Sequence, residues 1–228
     1  MYAKFLKRCF DFLLALLAFI VLFPILLVLT VVGAVIMKGN PFFTQPRPGK
    51  NEKIFHLIKF RSMTCETDEN GKLLPDEKRL TGYGKFIRST SVDELPSLLN
   101  IIKGDLSIVG PRPQLVRDMV FMTEEQRKRH TVTPGLTGLA QCSGRNNMSW
   151  EQKFEYDLRY IEKITLAGDI GIIFRTVGKV FRRDGINEEG MATAEDLGDY
   201  LLRTGRVTQE EYDRRQEEAK ALLRGSKQ

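Results

Sequence analysis

The stretch that decides the architecture is FLLALLAFIVLFPILLVLTVVGAVIM, residues 12–37, where 26 consecutive positions carry no charge. A helix needs about 20 such residues to cross a bilayer core, so this segment belongs in lipid. A cleaved leader is excluded because the apolar run is too long and no small-residue cleavage site closes it. Basic residues bracket the run: Lys4, Lys7 and Arg8 precede it, and Lys38, Arg47, Lys50, Lys53, Lys59 and Arg61 follow. Basic flanks stay on the cytoplasmic side. A straight span would therefore expel one cluster, whereas a helix that enters and turns back keeps both inside. Pro24 lies near the middle, where a lost backbone donor and a clash with the preceding turn are the usual cause of a sharp kink. A tilted spanning helix with a tolerated proline is the alternative.

Outside this run the composition is that of a globular chain. Of 228 residues, 42% are apolar and 28% charged, and 35 Lys plus Arg against 29 Asp plus Glu give a formal charge of +6. That excess favours an anionic partner such as a phospholipid surface, nucleic acid or a phosphorylated substrate, without choosing among them. Cys9, Cys65 and Cys142 are too few and too scattered for a disulfide framework or zinc site, which fits a reducing compartment. His56 and His130 fall in no metal-ligand or nucleophile–base pattern and read as surface or satisfied polar side chains.

Asn40, Pro41, Pro46, Pro48 and Gly49 read as a turn-rich connector. Lys53 to Phe60 is a short apolar run, either a strand or part of a buried helix. Cys65 to Arg79 is polar and reads as an exposed loop. Helices are expected over Val116–Arg129 and Trp150–Lys163. Ile170–Arg183 has the composition of a helix in a membrane interface, though packing on a core explains it equally well. Beyond Gly190 the residues become charged and helix-favouring; Leu201, Leu202, Tyr212, Leu222 and Leu223 could close a small helix pair or bind a partner.

The chemistry-bearing segment runs from Arg88 to Pro113. Ser91 followed by Glu94 matches a capping box, yet a helix capped at Ser91 needs a donor where Pro96 has none. Capping by Asp93 avoids the conflict. Either register places the Asp93 and Glu94 carboxylates at a helix start, beside amide donors that attract phosphate. Two adjacent acids can divide labour, one as nucleophile or metal ligand and the other handling a proton or the metal, provided cations hold them ionised. Arg88 and Arg112 are the candidates. Arg112 stands between prolines, as suits a guanidinium fork aimed at phosphate. A third cluster, Pro134 to Arg145, has glycines permitting close backbone approach to a ligand and ends on another anion-binding side chain; it is not a Walker loop.

Taken in order, the apolar helix, Lys59-Phe-Arg-Ser-Met63, Ser91-Val-Asp-Glu-Leu-Pro96, Gly104-Asp105, Val109-Gly-Pro-Arg-Pro113, Pro134-Gly-Leu-Thr-Gly138 and Gly144-Arg145 resemble the bacterial sugar transferase family of small monotopic phosphoglycosyl transferases. The branch most similar is the one that initiates bacterial protein glycosylation with a bacillosamine-type sugar. The resemblance covers about residues 1–187. It implies an α/β, mostly helical fold with a re-entrant membrane helix at 1–39, a catalytic domain at 40–187 with interfacial amphipathic helices, and a charged helical extension at 188–228. It further implies a location on the cytoplasmic face of the inner membrane and a magnesium-dependent, two-step reaction. Asp93 attacks the β-phosphate of a UDP-sugar of N-acetylated hexose type, UMP leaves, and undecaprenyl phosphate takes the phosphosugar, with Glu94 assisting through the metal or the acceptor proton. Lys59, Arg88, Arg112 and Arg145 are implied substrate or phosphate ligands, Asp157 and Asp169 supporting residues, and Asp93 and Glu94 the metal ligands. Membrane lipids, a second copy of the chain and downstream glycosyltransferases are the implied partners, and nucleic acid is not. The family often carries Ser-Pro at the helix break; here it is Phe23-Pro24, so proline alone sets the break or Thr30 or a nearby backbone group compensates. The rival reading is a membrane-anchored module that holds anionic lipid and catalyses nothing, which needs neither acid.

Overall fold

A computed structural model describes residues 2–144, 148–182 and 195–225. A π-helical turn at Tyr2–Leu6 leads into α1 (Lys7–Ile36), one helix that continues through Pro24. Thirty residues at 1.5 Å each make it about 45 Å long. Proline 24 cannot donate to the carbonyl of Ile20, four residues back. Thr30 does not take over that carbonyl; its hydroxyl donates to Leu26 O at 2.7 Å.

Only one stripe of α1 is covered. Asp11, Ala15, Leu26 and Gly33 are buried, at intervals close to whole helical turns, and Phe19, Leu22 and Leu29 fill the gaps between them. The remaining surface exposes Leu13, Leu17, Ile20, Val21, Val28, Val31 and Val35. Each such side chain gains roughly 1.5–3 kcal/mol on leaving water, so the exposed face calls for an apolar solvent. The covered stripe meets the globular part from the first turn to the last. Arg8 donates to Ile101 O and Ile102 O at 2.5 and 2.7 Å, and Asp11 accepts from Ser107 Oγ at 2.6 Å and Ile108 N at 3.1 Å. At the other end Tyr83 donates to Leu29 O at 3.1 Å.

The expected connector after α1 is a strand. β1 (Phe42–Pro48) pairs antiparallel with β2 (Ile54–Phe60), in a register that sets Pro46 opposite His56 and Pro48 opposite Ile54. Proline is tolerated because the ribbon has two strands, so β1 keeps one edge free of partners. Residues 53–60 thus resolve to strand. α2 (Gly82–Ser89) follows the exposed loop and packs so closely that a Cβ at Gly84 would stand 1.9 Å from Ser62 O. A 3-10 turn (Val92–Ser97) then runs into α3 (Leu98–Lys103), which Gly104 ends at φ +104°. Asn100 in α3 fastens the turn to β2, donating to His56 O at 2.9 Å and accepting from Ile58 N at 3.0 Å.

The single helix expected over 116–129 is divided. α4 (Val116–Met119) stops, Val120, Phe121 and Met122 turn inward, and Thr123 caps a new turn through Gln126 N. β3 (Ser107–Val109) and β4 (Gly135–Thr137) form a short parallel pair. α5 (Trp150–Glu162) and α6 (Leu166–Arg182) complete this part. On α6 Leu166, Ile170, Phe174 and Val177 form an exposed apolar stripe at helical spacing, opposite buried Asp169 and Ile172. His130, expected at the surface or satisfied, is instead buried with no hydrogen bond to its ring among the described residues, its Nδ1 3.3 Å from a Glu52 carboxylate oxygen.

The C-terminal region forms the expected helix pair, α7 (Leu197–Arg203) and α8 (Gln209–Gly225). Leu197 and Ala219 join Val116, Met119, Phe121, Trp150 and Phe154 in one core, with Leu201, Tyr212 and Leu223 against it, while Leu222 stays exposed. Buried Asp118 joins the parts by accepting from Leu115 N at 3.1 Å and Leu197 N at 2.9 Å.

Candidate active site

Ser91 does not cap a helix. It sits at φ +55° with no cap hydrogen bond, a left-handed geometry uncommon outside glycine. That bend starts the 3-10 turn carrying Asp93 and Glu94, so Pro96 falls within a tighter coil than the α-helix the sequence suggested. The turn lies against β2, where Ser97 Oγ donates to Ile58 O at 2.7 Å, and this brings Lys59 to the acids.

Glu94 is the hub. Its Oε1 accepts from Lys59 Nζ at 2.6 Å and from Arg112 at 2.9 Å. Burial pushes this carboxyl up, but Arg112 and Lys59 outweigh it and bring it down to about 2. Glu94 is therefore fixed as an anion, its charge already spent on two cations. Asp93 differs. Among the described residues it has no hydrogen bond; burial pushes its carboxyl up, Lys59 opposes that, Glu94 adds to it, and Arg112 and Arg88 pull down, for a net rise. A partly desolvated carboxylate with no fixed partner, held among cations, suits a nucleophile or metal ligand. Lys59 is itself pushed down by burial, with Glu94 opposing. Arg88 is held by Ser62, its Nε donating to Oγ at 2.9 Å.

Arg112 is fixed from behind. Its carbonyl accepts from Arg129 at 2.6 Å, and Arg129 binds Asp157 Oδ2 through Nε and a terminal nitrogen at 3.0 and 2.6 Å. Asp157 thus acts on the site through Arg129 and the Arg112 backbone. Asp169 is not brought to this cluster. It accepts from Tyr2 and Lys7 at 2.7 Å each and from Tyr160 at 2.9 Å, tying the start of the chain to α6. Arg145 lies outside the described residues. The glycines of 134–138 also have a different task from the one expected: a Cβ at Gly135 would lie 2.0 Å from Gly110 N, and one at Gly138 2.2 Å from Gly110 O. Their close approach is to backbone.

The cleft in front of Glu94 is lined by Lys59, Arg112, Ser97, Leu57, Leu106 and Leu136, and also by Arg47. The sequence places Arg47 only in the basic flank of the apolar run, although Pro46-Arg47-Pro48 repeats the pattern of Pro111-Arg112-Pro113.

The family model for bacterial sugar transferases matches residues 2–183. The chain is 49% identical over 195 residues to the uncharacterized sugar transferase EpsL of Bacillus subtilis, covering 83% of this chain and 94% of that protein. It is 39% identical over 186 residues to a UDP-glucose:undecaprenyl-phosphate glucose-1-phosphate transferase of Klebsiella pneumoniae, covering 77% and 40%. With an undecaprenyl-phosphate galactose phosphotransferase of Salmonella typhimurium it shares 35% over 201 residues, covering 80% and 42%. The chain thus spans nearly all of the first relative and about two fifths of the other two.

Proposed function

The chain belongs to the bacterial sugar transferase family, and from that premise we propose that it transfers a sugar-1-phosphate from a UDP-sugar to undecaprenyl phosphate through a covalent adduct on Asp93. The observation that carries this reading is the contrast within the acid pair: Glu94 is held through Oε1 by Lys59 and Arg112, and Asp93 has no hydrogen bond among the described residues, beside the same cations. The Asp93 carboxylate attacks the β-phosphorus, the phosphoanhydride bond breaks, and its electron pair leaves on UMP. A phosphate oxygen of the lipid acceptor then attacks the same phosphorus and returns Asp93 to its carboxylate. Arg112, Lys59 and Arg88 balance the charge of the attacked phosphate, which lets an anion approach an anion. The names of the Salmonella and Klebsiella relatives support the lipid acceptor and a hexose donor; an N-acetylated hexose remains our assignment for this chain.

Among the described residues no three His, Cys, Asp or Glu side chains gather to hold a metal. Magnesium, however, commonly takes one or two carboxylates plus substrate phosphates. Asp93 and the Glu94 Oε2 atom, which accepts no hydrogen bond from Lys59 or Arg112, fit such a partial set, and bound magnesium would supply further neutralisation of the phosphates.

For α1 we infer a re-entrant path from the cytoplasmic face of the inner membrane. A spanning helix must carry its ends across about 30 Å of hydrocarbon, yet one globular body touches α1 at Arg8 and Asp11 and again at Leu29. The exposed stripe of α6 suits the same interface. Single cysteines at positions 2 and 40, in a chain freed of native thiols, are expected to resist labelling from outside spheroplasts. Labelling at one of the two would refute the re-entrant path.

The reaction is tested with purified protein, magnesium, undecaprenyl phosphate and a panel of UDP-sugars. UMP is the expected nucleotide product, and a donor labelled in the sugar is expected to mark the wild-type chain when acceptor is withheld. Asp93→Asn should abolish both. Turnover that survives in Asp93→Asn, or release of UDP, would overturn the covalent scheme.

A further inference from the structure

The two Pro-Arg-Pro segments, 65 residues apart in the chain, meet in one cleft. Arg47 donates to Pro113 O at 3.2 Å, which ties the two segments together, and to Gln45 Oε1 at 2.7 Å within its own strand. Both acceptors are neutral. A guanidinium has five N–H donors, and the Arg47 Nε is shut away from solvent with no hydrogen bond among the described residues. No carboxylate forms a hydrogen bond or ion pair with Arg47 among the described residues. The nearby acids are already engaged: Glu94 by Lys59 and Arg112, Asp118 by two backbone amides, and Asp196 by Arg117. Burial and then Arg112 pull the Arg47 guanidinium down to about 10. A structural arginine in such a place is normally paired, since an uncompensated buried charge destabilises the fold. This one is arranged to receive an anion.

Bonds and chain adjacency give an order. Asp93 is the chain neighbour of Glu94, Glu94 is bonded to Arg112 at 2.9 Å, and Arg47 is tied to the carbonyl of Pro113, the chain neighbour of Arg112, at 3.2 Å. Glu94, Arg112 and Arg47 line one cleft with Lys59. For a phosphate held by Arg112 next to the acid pair, Arg47 is the next cation available to a second phosphate joined to it.

We propose that Arg47 binds the nucleotide-side phosphate of the donor, holding it with Arg112 as the phosphoanhydride bond breaks. This rests on the phosphosugar-transfer reading above. As the bond breaks, its electron pair stays on the bridging oxygen, which departs with UMP, so the α-phosphate gains one negative charge. Arg47 and Arg112 are placed to stabilise that charge, and the phosphosugar remains with Asp93. Arg47 is then a leaving-group residue for the first half-reaction, with no part in the second.

The test uses the full chain in detergent micelles with Arg47→Gln and Arg47→Lys. A charge-assisted phosphate contact supports an expectation on the order of 10- to 100-fold. By that measure Arg47→Gln weakens equilibrium binding of UMP and lowers kcat/KM for the UDP-sugar, and Arg47→Lys recovers part of each. Transfer from preformed labelled adduct to undecaprenyl phosphate keeps its wild-type rate. The melting temperature does not fall, since an unpaired buried charge has been removed. Unchanged UMP binding with a lower melting temperature would make Arg47 a structural strut and overturn the proposal. A raised KM for undecaprenyl phosphate with unchanged UMP binding would place the lipid phosphate there and overturn it equally. The UMP titration requires no turnover, so a failed covalent scheme, seen as activity in Asp93→Asn, is distinguishable from a failed Arg47 assignment.

Discussion

Two charged clusters lie within one bond network and behave in opposite ways. Arg129 and Asp157 form a one-to-one pair that is sealed, with side chains 1% and 3% exposed. Around Glu94 the count is unequal, because Lys59, Arg112 and Arg47 line the cleft against one carboxylate, and Arg112 keeps 42% of its side chain accessible. The balanced pair is closed to solvent, one Arg129 terminal nitrogen included, and serves to fix the Arg112 carbonyl. The unbalanced one has cationic donors to spare, which is the electrostatic form of an anion site. Charge balance, more than burial, separates a brace from the proposed reactive centre here.

The comparison breaks most easily at its two arginines. Arg112→Met is expected to lower UMP release by roughly 100- to 1000-fold, the usual scale for removing one donor to developing charge, with little change in melting temperature. Arg129→Met should do the reverse in emphasis. It leaves Asp157 buried without its partner, a loss of roughly 3–5 kcal/mol, read as a lower melting temperature, and its activity loss follows from a loosened Arg112 loop. Adding Asp157→Leu to Arg129→Met should return much of that stability. Equal stability losses in the two single variants would erase the distinction.

A smaller effect sharpens the picture within the acid pair. Burial and then Glu94 hold the Asp93 carboxyl above its ordinary value, against the pull of Lys59. Removing the negative neighbour in Glu94→Gln should lower the Asp93 pKa, so the acid limb of covalent labelling moves to lower pH. Lys59→Gln removes an opposing cation and should move it upward. Where turnover is too weak to follow, carboxyl NMR of Asp93 reads the same shifts. A Glu94→Gln titration that moves upward would show that the two acids do not sense each other as their positions imply.

Much of this was legible in the sequence where chemistry and chain proximity coincide. The 26-residue apolar run, the adjacent acids and the proline-flanked Arg112 carry their meaning locally. Lys59 lay within a short motif, although only strand pairing shows that it reaches Glu94. Arg47 carried the same Pro-Arg-Pro signature but stood in what reads as a turn-rich connector; a two-stranded ribbon with a free edge is what lets those prolines lie in a strand. Asp157 and Asp169 stand together only through the family resemblance, as positions matching its supporting residues. Their partners, Arg129 for one and Tyr2, Lys7 and Tyr160 for the other, are chosen by packing that no local pattern encodes. The glycines of 134–138 were legible as close-approach positions, while the object approached, the backbone of Gly110, was not.

The Asp169 junction also has a consequence in time. Its donors Tyr2 and Lys7 are synthesised 167 and 162 residues before their acceptor. At about 5–20 residues per second, the chain start waits on the order of ten to thirty seconds for the carboxylate that clasps it. During that interval a 30-residue apolar helix has left the ribosome with its closing contact not yet made. The junction is therefore a late contact, one that cannot close until nearly all of the globular part has been made.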